Sequence, residues 1–197
     1  MNKNKKYQEN QDYQDYQENQ GEIKKLIFCS LFAALMSIGS YLSLPIGPVA
    51  ITLQTLFVYL SGLVLGRGWA TASVLIYILA GILGFPVFAG GKGGLGHAIG
   101  PTGGYLIGFI PAVYLIGFVS KEVKINSAWK YYFVNFCGLT CGTLITYSFG
   151  ILWLKFITNK PFIDLVLIGI FPFLISDFVK IITALIIFRI VKPLIKL

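Results

Sequence analysis

Asp177 and Lys180 stand three residues apart in the last long apolar run of the chain, Phe173-Leu-Ile-Ser-Asp-Phe-Val-Lys-Ile-Ile-Thr-Ala184. A charge at the centre of a bilayer costs about 2.5 kcal/mol or more, so such groups face a partner, a cavity or a ligand. On a helix this spacing puts both side chains on one face, within reach of each other and of a shared guest. The chemistry they could do is recognition. A carboxylate accepts from N–H donors, and an ammonium donates to a carbonyl or neutralises an anion. As a pair they also balance each other's charge when the site is empty, which lowers the burial penalty.

Other constellations fare poorly. After the N-terminal tail the acids are Glu122, Asp164 and Asp177, and the single histidine is His97. No Ser–His nucleophile signature, catalytic acid pair or zinc triad can be assembled from them, so no enzymatic activity is expected. Cys29, Cys137 and Cys141 lie inside apolar runs at spacings that fit neither zinc nor a redox pair. They are expected to be small buried packing residues, with no metal and no cofactor. Gly91-Lys-Gly-Gly-Leu-Gly96 has the letters of a dinucleotide fingerprint but lacks the strand–turn–helix context. It is not a phosphate loop either, because Gly93 follows Lys92 where a Ser or Thr is required. Active transport by this chain would need a partner that hydrolyses ATP, or an ion gradient.

The elements that must position the pair are membrane helices. Hydrophobic residues make up 56% of the 197 and charged residues only 12%, which places the chain among integral membrane proteins. Residues 1–22 are polar and of low complexity, and read as a disordered cytoplasmic tail. The remainder, 23–197, reads as an all-α bundle of six spans in one domain. They are drawn at 26–44, 51–65, 69–85, 105–119, 131–156 and 173–195. Pro45 and Pro48 end the first, and Gly66-Arg-Gly68 ends the second. The stretch from Phe162 is apolar too, and Pro172 supplies the break that starts the last span beyond it.

Lys24, Lys25, Arg67, Lys121, Lys124, Lys130, Arg189, Lys192 and Lys196 fall on one side of this arrangement. Lys92, Lys155 and Lys160 fall on the other, an asymmetry that puts both termini in the cytoplasm. The Gly-rich connection 89–104 then lies outside, on the same side as the start of the last helix. Because it also carries Phe88, Leu95, Ile99 and Tyr105, it reads as a folded lid over an outward-facing cavity. Small residues four apart, such as Gly62 and Gly66, Gly104 and Gly108, and Gly138 and Gly142, predict close helix packing. In the first span Cys29, Ala33 and Ser37 form one small ridge and Ser30 with Ala34 the next, either of which could receive an outside partner.

Taken together, Pro48-Val-Ala-Ile-Thr-Leu-Gln54, Gly84-Phe-Pro-Val-Phe-Ala-Gly-Gly-Lys92, Gly100-Pro-Thr-Gly-Gly-Tyr105 and Ser176-Asp-Phe-Val-Lys180 resemble the BioY family. These are biotin-specific substrate-binding (S) components of energy-coupling factor (ECF) transporters. The resemblance covers the chain beyond the tail. It implies a six-helix protein that binds biotin from outside and releases it inside after docking on a transmembrane coupling protein with two ATP-binding-cassette ATPases. It further implies Asp177, Lys180 and Lys92 as substrate-binding residues, with Gln54, Thr52 and Tyr105 as weaker candidates. The small face at Ala33, Ala34 and Ser37 would be the docking surface. A buried Asp can accept from the ureido N–H groups of biotin, while a Lys can serve its carbonyl or its carboxylate. Which end of biotin meets Lys180 stays open. An S component for another small vitamin, an autonomous secondary carrier and a membrane scaffold are the alternatives. A scaffold has no reason to keep Asp177 and Lys180 together in lipid, and a carrier would show inverted repeats.

Overall fold

In the computed structural model, which describes residues 3–46, 49–122 and 128–194, the chain is built from α-helices around two apolar cores. In order they are α1 (Lys3–Tyr41), α2 (Gln54–Leu65), α3 (Arg67–Ile82), the short α4 (Leu95–Ala98), α5 (Gly103–Glu122), α6 (Ala128–Thr158), α7 (Phe162–Gly169) and α8 (Leu174–Val191). Among the described residues, four helical stretches are long and apolar enough to cross a membrane: Asn19–Tyr41, Gly103–Lys121, Trp129–Thr158 and Phe162–Val191. The apolar helices α2 and α3 are shorter, at 12 and 16 residues. Large apolar side chains such as Leu79, Leu152, Phe156, Ile175 and Ile190 stay exposed on the bundle. That surface suits lipid and not water.

Several sequence-based span boundaries are corrected. Helix α1 also runs back through the polar tail to Lys3. Its Glu, Gln and Lys residues are good helix formers, and extending an existing helix avoids the cost of nucleation. The first span ends at Tyr41 and the second begins at Gln54, because a hairpin lies between them. Strands β1 (Ser43–Ile46) and β2 (Val49–Thr52) pair antiparallel, with Ser43 opposite Thr52 and Ile46 opposite Val49, so the fold is not purely helical. Pro45 cannot continue a helix, and Val49, Ile51 and Thr52 are β-branched. The Thr52 hydroxyl then accepts from the Gln54 N–H where α2 opens (3.3 Å). The third span stops at Ile82, short of Phe85, since the lid begins there. Pro48, Lys124 and Lys196, used above as a break and as cations, lie outside the described residues.

The glycine pairs are internal, as their spacing predicts. A Cβ on Gly62 or Gly142 would press on Ile116, and one on Gly138 on Val119. At Gly104 a Cβ would collide with the Trp153 side chain and the Phe149 carbonyl. Gly104→Ala is therefore expected to separate α5 from α6 and cost about 1–3 kcal/mol. A thermal unfolding midpoint in detergent that equals the wild-type value would contradict this. The break before α8 falls where Pro172 predicts, as a 3-10 turn at Phe171–Phe173.

Cys29 is buried in the bundle, but Cys137 and Cys141 are exposed on one face of α6, contrary to expectation. In a membrane helix an apolar run is equally suited to lipid and to core, so hydrophobicity alone did not distinguish them.

Candidate functional site

Asp177 lies in the first turn of α8 and Lys180 follows one turn later; both are buried, at 4% and 5% exposure. The Lys180 Nζ donates to Asp177 Oδ1 at 2.8 Å, an ion pair with both side chains buried. Two further elements close on the same carboxylate. The Tyr147 hydroxyl of α6 donates to Oδ2 at 2.6 Å, and the Thr55 hydroxyl of α2 reaches Oδ1 at 3.4 Å. Beside them the Tyr59 hydroxyl and the Thr143 hydroxyl share a hydrogen bond of 2.7 Å. The pair is thus held by α2, α6 and α8 together, and its net charge is zero.

These groups line a cavity of about 420 Å³, counting its open mouth. Its walls also include Val49, Thr52, Tyr105, Phe109 and Phe173. A second chamber of about 360 Å³ shares Val49, Thr52, Tyr105 and Phe109 with the first. Its own lining includes Gln54, Tyr77, Phe88, His97 and Thr102, on α2, α3 and the lid. Gln54 Nε2 and the Tyr77 hydroxyl are buried there without a protein partner. An unpaired buried polar atom is costly, and each of these can be relieved by a ligand or water in the chamber. The site is therefore one apolar-walled, two-chamber cleft with a charge-paired end and an end of neutral donors. Nothing in it is a nucleophile with a base. It is built to bind.

The Gly-rich connection is folded as a lid: Phe88 and Tyr105 are buried as expected, whereas Leu95 and Ile99 are exposed, contrary to expectation. Phe88 is 1% exposed and lies so close to Gly81 that no side chain could stand there. Its ring meets Tyr77 edge-on at 5.7 Å and stacks on His97 at 5.5 Å. The turn closes with the Phe88 N–H on the Lys92 carbonyl (2.8 Å), using positive φ at Gly90 and Gly91. Outside the turn, the Ser40 hydroxyl donates to the Val87 carbonyl, the Gly94 N–H to the Gly81 carbonyl, and the Trp153 indole to the Gly100 carbonyl. The lid is stapled to α1, α3 and α6. His97 has its pKa lowered by partial burial and by the nearby Lys92 charge.

Of the residues singled out from sequence, Asp177, Lys180, Thr52, Gln54 and Tyr105 all line the cleft. Tyr105 does so with its ring, because its hydroxyl is committed to the Gly169 carbonyl at 2.8 Å. Lys92 does not. It is exposed on the lid and lines neither chamber. On α1 the expected docking ridge splits. Ala33 is 6% exposed and belongs to the core, Ser37 is half-buried, and Ala34 is exposed. Sequence reasoning missed Tyr147, Thr55, Tyr59 and Thr143. The available signal was helical spacing: Thr55 with Tyr59, and Thr143 with Thr146 and Tyr147, put polar groups on one face of otherwise apolar segments.

Several apolar helices around a lidded, charge-paired cleft define a multi-pass membrane protein that binds a small solute. Its family can be named. The sequence matches the BioY family over residues 8–197, and the chain belongs to that family. It is 43% identical over 166 residues to the probable biotin transporter BioY of Pyrococcus horikoshii, spanning 83% of this chain and 93% of that protein. Against the biotin transporter BioY of Thermotoga maritima it is 39% identical over 162 residues, spanning 82% and 92%. It also matches a crystal structure of the S-component for biotin from an ECF-type ABC transporter. That match has a TM-score of 0.82 and 31% identity, over 89% of this chain and 94% of that one. The relatives are transporters and not enzymes.

Proposed function

We propose that this chain is a biotin-binding S component of an ECF-type uptake transporter. The observation that carries the reading is the buried Asp177–Lys180 pair, fixed by Tyr147 and Thr55 at the end of a lidded cleft. Biotin has an apolar bicyclic body, a ureido group and a carboxylate tail, and the cleft offers apolar walls with polar groups at both ends. Asp177 accepts from ureido N–H, and Lys180 donates to the substrate while keeping the pair neutral. The names of the relatives support biotin over another vitamin.

In the same proposal α1, α2, α3, α5, α6 and α8 all cross the membrane, with both termini cytoplasmic and the polar tail 1–22 on the cytoplasmic side. The short helices α2 and α3 serve as spans because the hairpin and the lid complete the outer layer around them. Biotin enters from outside beneath the lid. It is released inside after the chain docks on a transmembrane coupling protein with two ATP-binding-cassette ATPases, with α1 presenting Ala34.

Equilibrium binding of radiolabelled biotin to the purified chain tests the substrate. Saturable binding that excess unlabelled biotin displaces, and that riboflavin or thiamine does not, is expected. Displacement by another vitamin alone would overturn it. The orientation has its own test. In a background without Cys29, Cys137 and Cys141, an impermeant thiol reagent should label Lys92→Cys in intact cells and leave Lys124→Cys unlabelled. The reverse pattern would invert the topology.

A further inference from the structure

A groove of about 800 Å³, counting its open side, lies between the start of α6 and the end of α8. Phe133, Ile182, Leu185 and Ile186 form its length, and Trp129, Tyr132 and Arg189 complete its lining. Arg189 is twelve residues beyond Asp177 on α8, about 18 Å along the axis, so this is not the cleft described above. The groove opens on the exposed surface: Trp129 is 76% and Ile186 56% exposed.

Its polarity is one-sided. The Arg189 guanidinium is exposed and sits 6.0 Å from the Tyr132 ring centre, with no carboxylate among the lining residues. Lys130 is exposed beside Trp129, and Lys192 lies 3.7 Å over the Tyr131 ring on the adjoining turn. Trp and Tyr mark the headgroup level of a membrane protein, and basic pockets between membrane helices take anionic headgroups. An apolar trough that ends in cations is complementary to a molecule with a hydrocarbon chain and an anionic head. Helix α1, the proposed docking element, contributes nothing to this groove.

We propose that the groove is a binding site for one anionic phospholipid. Its acyl chain lies along Phe133, Ile182 and Ile186, and its phosphate is held by Arg189 with Lys130 at the rim. A planar guanidinium matches two phosphate oxygens at once, which makes Arg189 the residue that selects the head.

The test uses the full chain, delipidated in detergent and offered phosphatidylglycerol and phosphatidylcholine of identical acyl chains. Native mass spectrometry reads how much of each is retained. The wild type is expected to retain phosphatidylglycerol over phosphatidylcholine, and Arg189→Gln to lose about fivefold of that preference. Arg189→Lys should keep part of it. Ile186→Trp, which fills an exposed stretch of the groove, should lower retention of both lipids. Biotin binding by the same preparations serves as the folding control, because neither residue lines the cleft. Equal retention of the two lipids, an undiminished preference in Arg189→Gln, or a dimer that retains no lipid would each overturn the proposal. So would equal competition by inorganic phosphate, which would reduce the site to an anion contact.

Discussion

Asp177→Asn is expected to weaken biotin binding at least tenfold, the equivalent of about 1.4 kcal/mol, because a charge-assisted hydrogen bond exceeds that value. The carboxylate is the hub of the site: Lys180 and Thr55 meet Oδ1, and Tyr147 meets Oδ2. An amide keeps the shape but turns one oxygen into a donor, which must then face either Lys180 or Tyr147, both donors themselves. Breaking a buried pair by removing one partner costs about 3–5 kcal/mol, so the thermal midpoint should fall as well. The double variant Asp177→Asn with Lys180→Met separates the two effects. Replacing the stranded cation with an apolar side chain should restore much of the stability, whereas biotin binding should stay lost. Near-wild-type affinity in the single variant would remove Asp177 from the site.

The second large effect separates neighbouring residues of α1. Ala34→Trp is expected to abolish ATP-driven biotin uptake in a reconstituted complex while leaving binding by the isolated chain within a few-fold of normal. Ala34 is exposed, and a bulky side chain there would hold a partner helix away from the backbone. Ala33→Trp should behave differently. Ala33 is packed in the core with Met36 and Leu63, so overpacking there should reduce expression, binding and uptake together. Pull-down of the coupling module beside binding on the same preparations decides the matter. An intact pull-down with Ala34→Trp would place the docking face elsewhere.

Sequence exposed the charged pair because Asp177 and Lys180 interrupt an apolar run at one-turn spacing, and the bilayer makes any such interruption costly. It exposed the helix contacts for a similar reason, since glycines four apart are uncommon unless backbones approach. What it did not reveal was rotation. The outward face of α1 carries Leu31 and Ile38, as apolar as the inward Phe32 and Met36, so Ala33 and Ala34 looked interchangeable. The same ambiguity hid the exposure of Cys137 and Cys141 on α6. Tyr147 and Thr55 stand 30 and 122 residues from Asp177 in the chain, and neither type is conspicuous in a membrane helix. Lys92 stood out as a cation within a glycine-rich motif, but the turn that buries Phe88 leaves the lysine outside both chambers.

The central claim is that biotin occupies the lidded cleft with Asp177 as its acceptor, and a structure of the chain with biotin bound tests it most directly. Biotin is expected between the lid and α8, with a ureido N–H within hydrogen-bonding distance of Asp177 and Lys180 touching the ligand. Biotin found with both polar ends away from Asp177 and Lys180, or outside the two chambers, would contradict it.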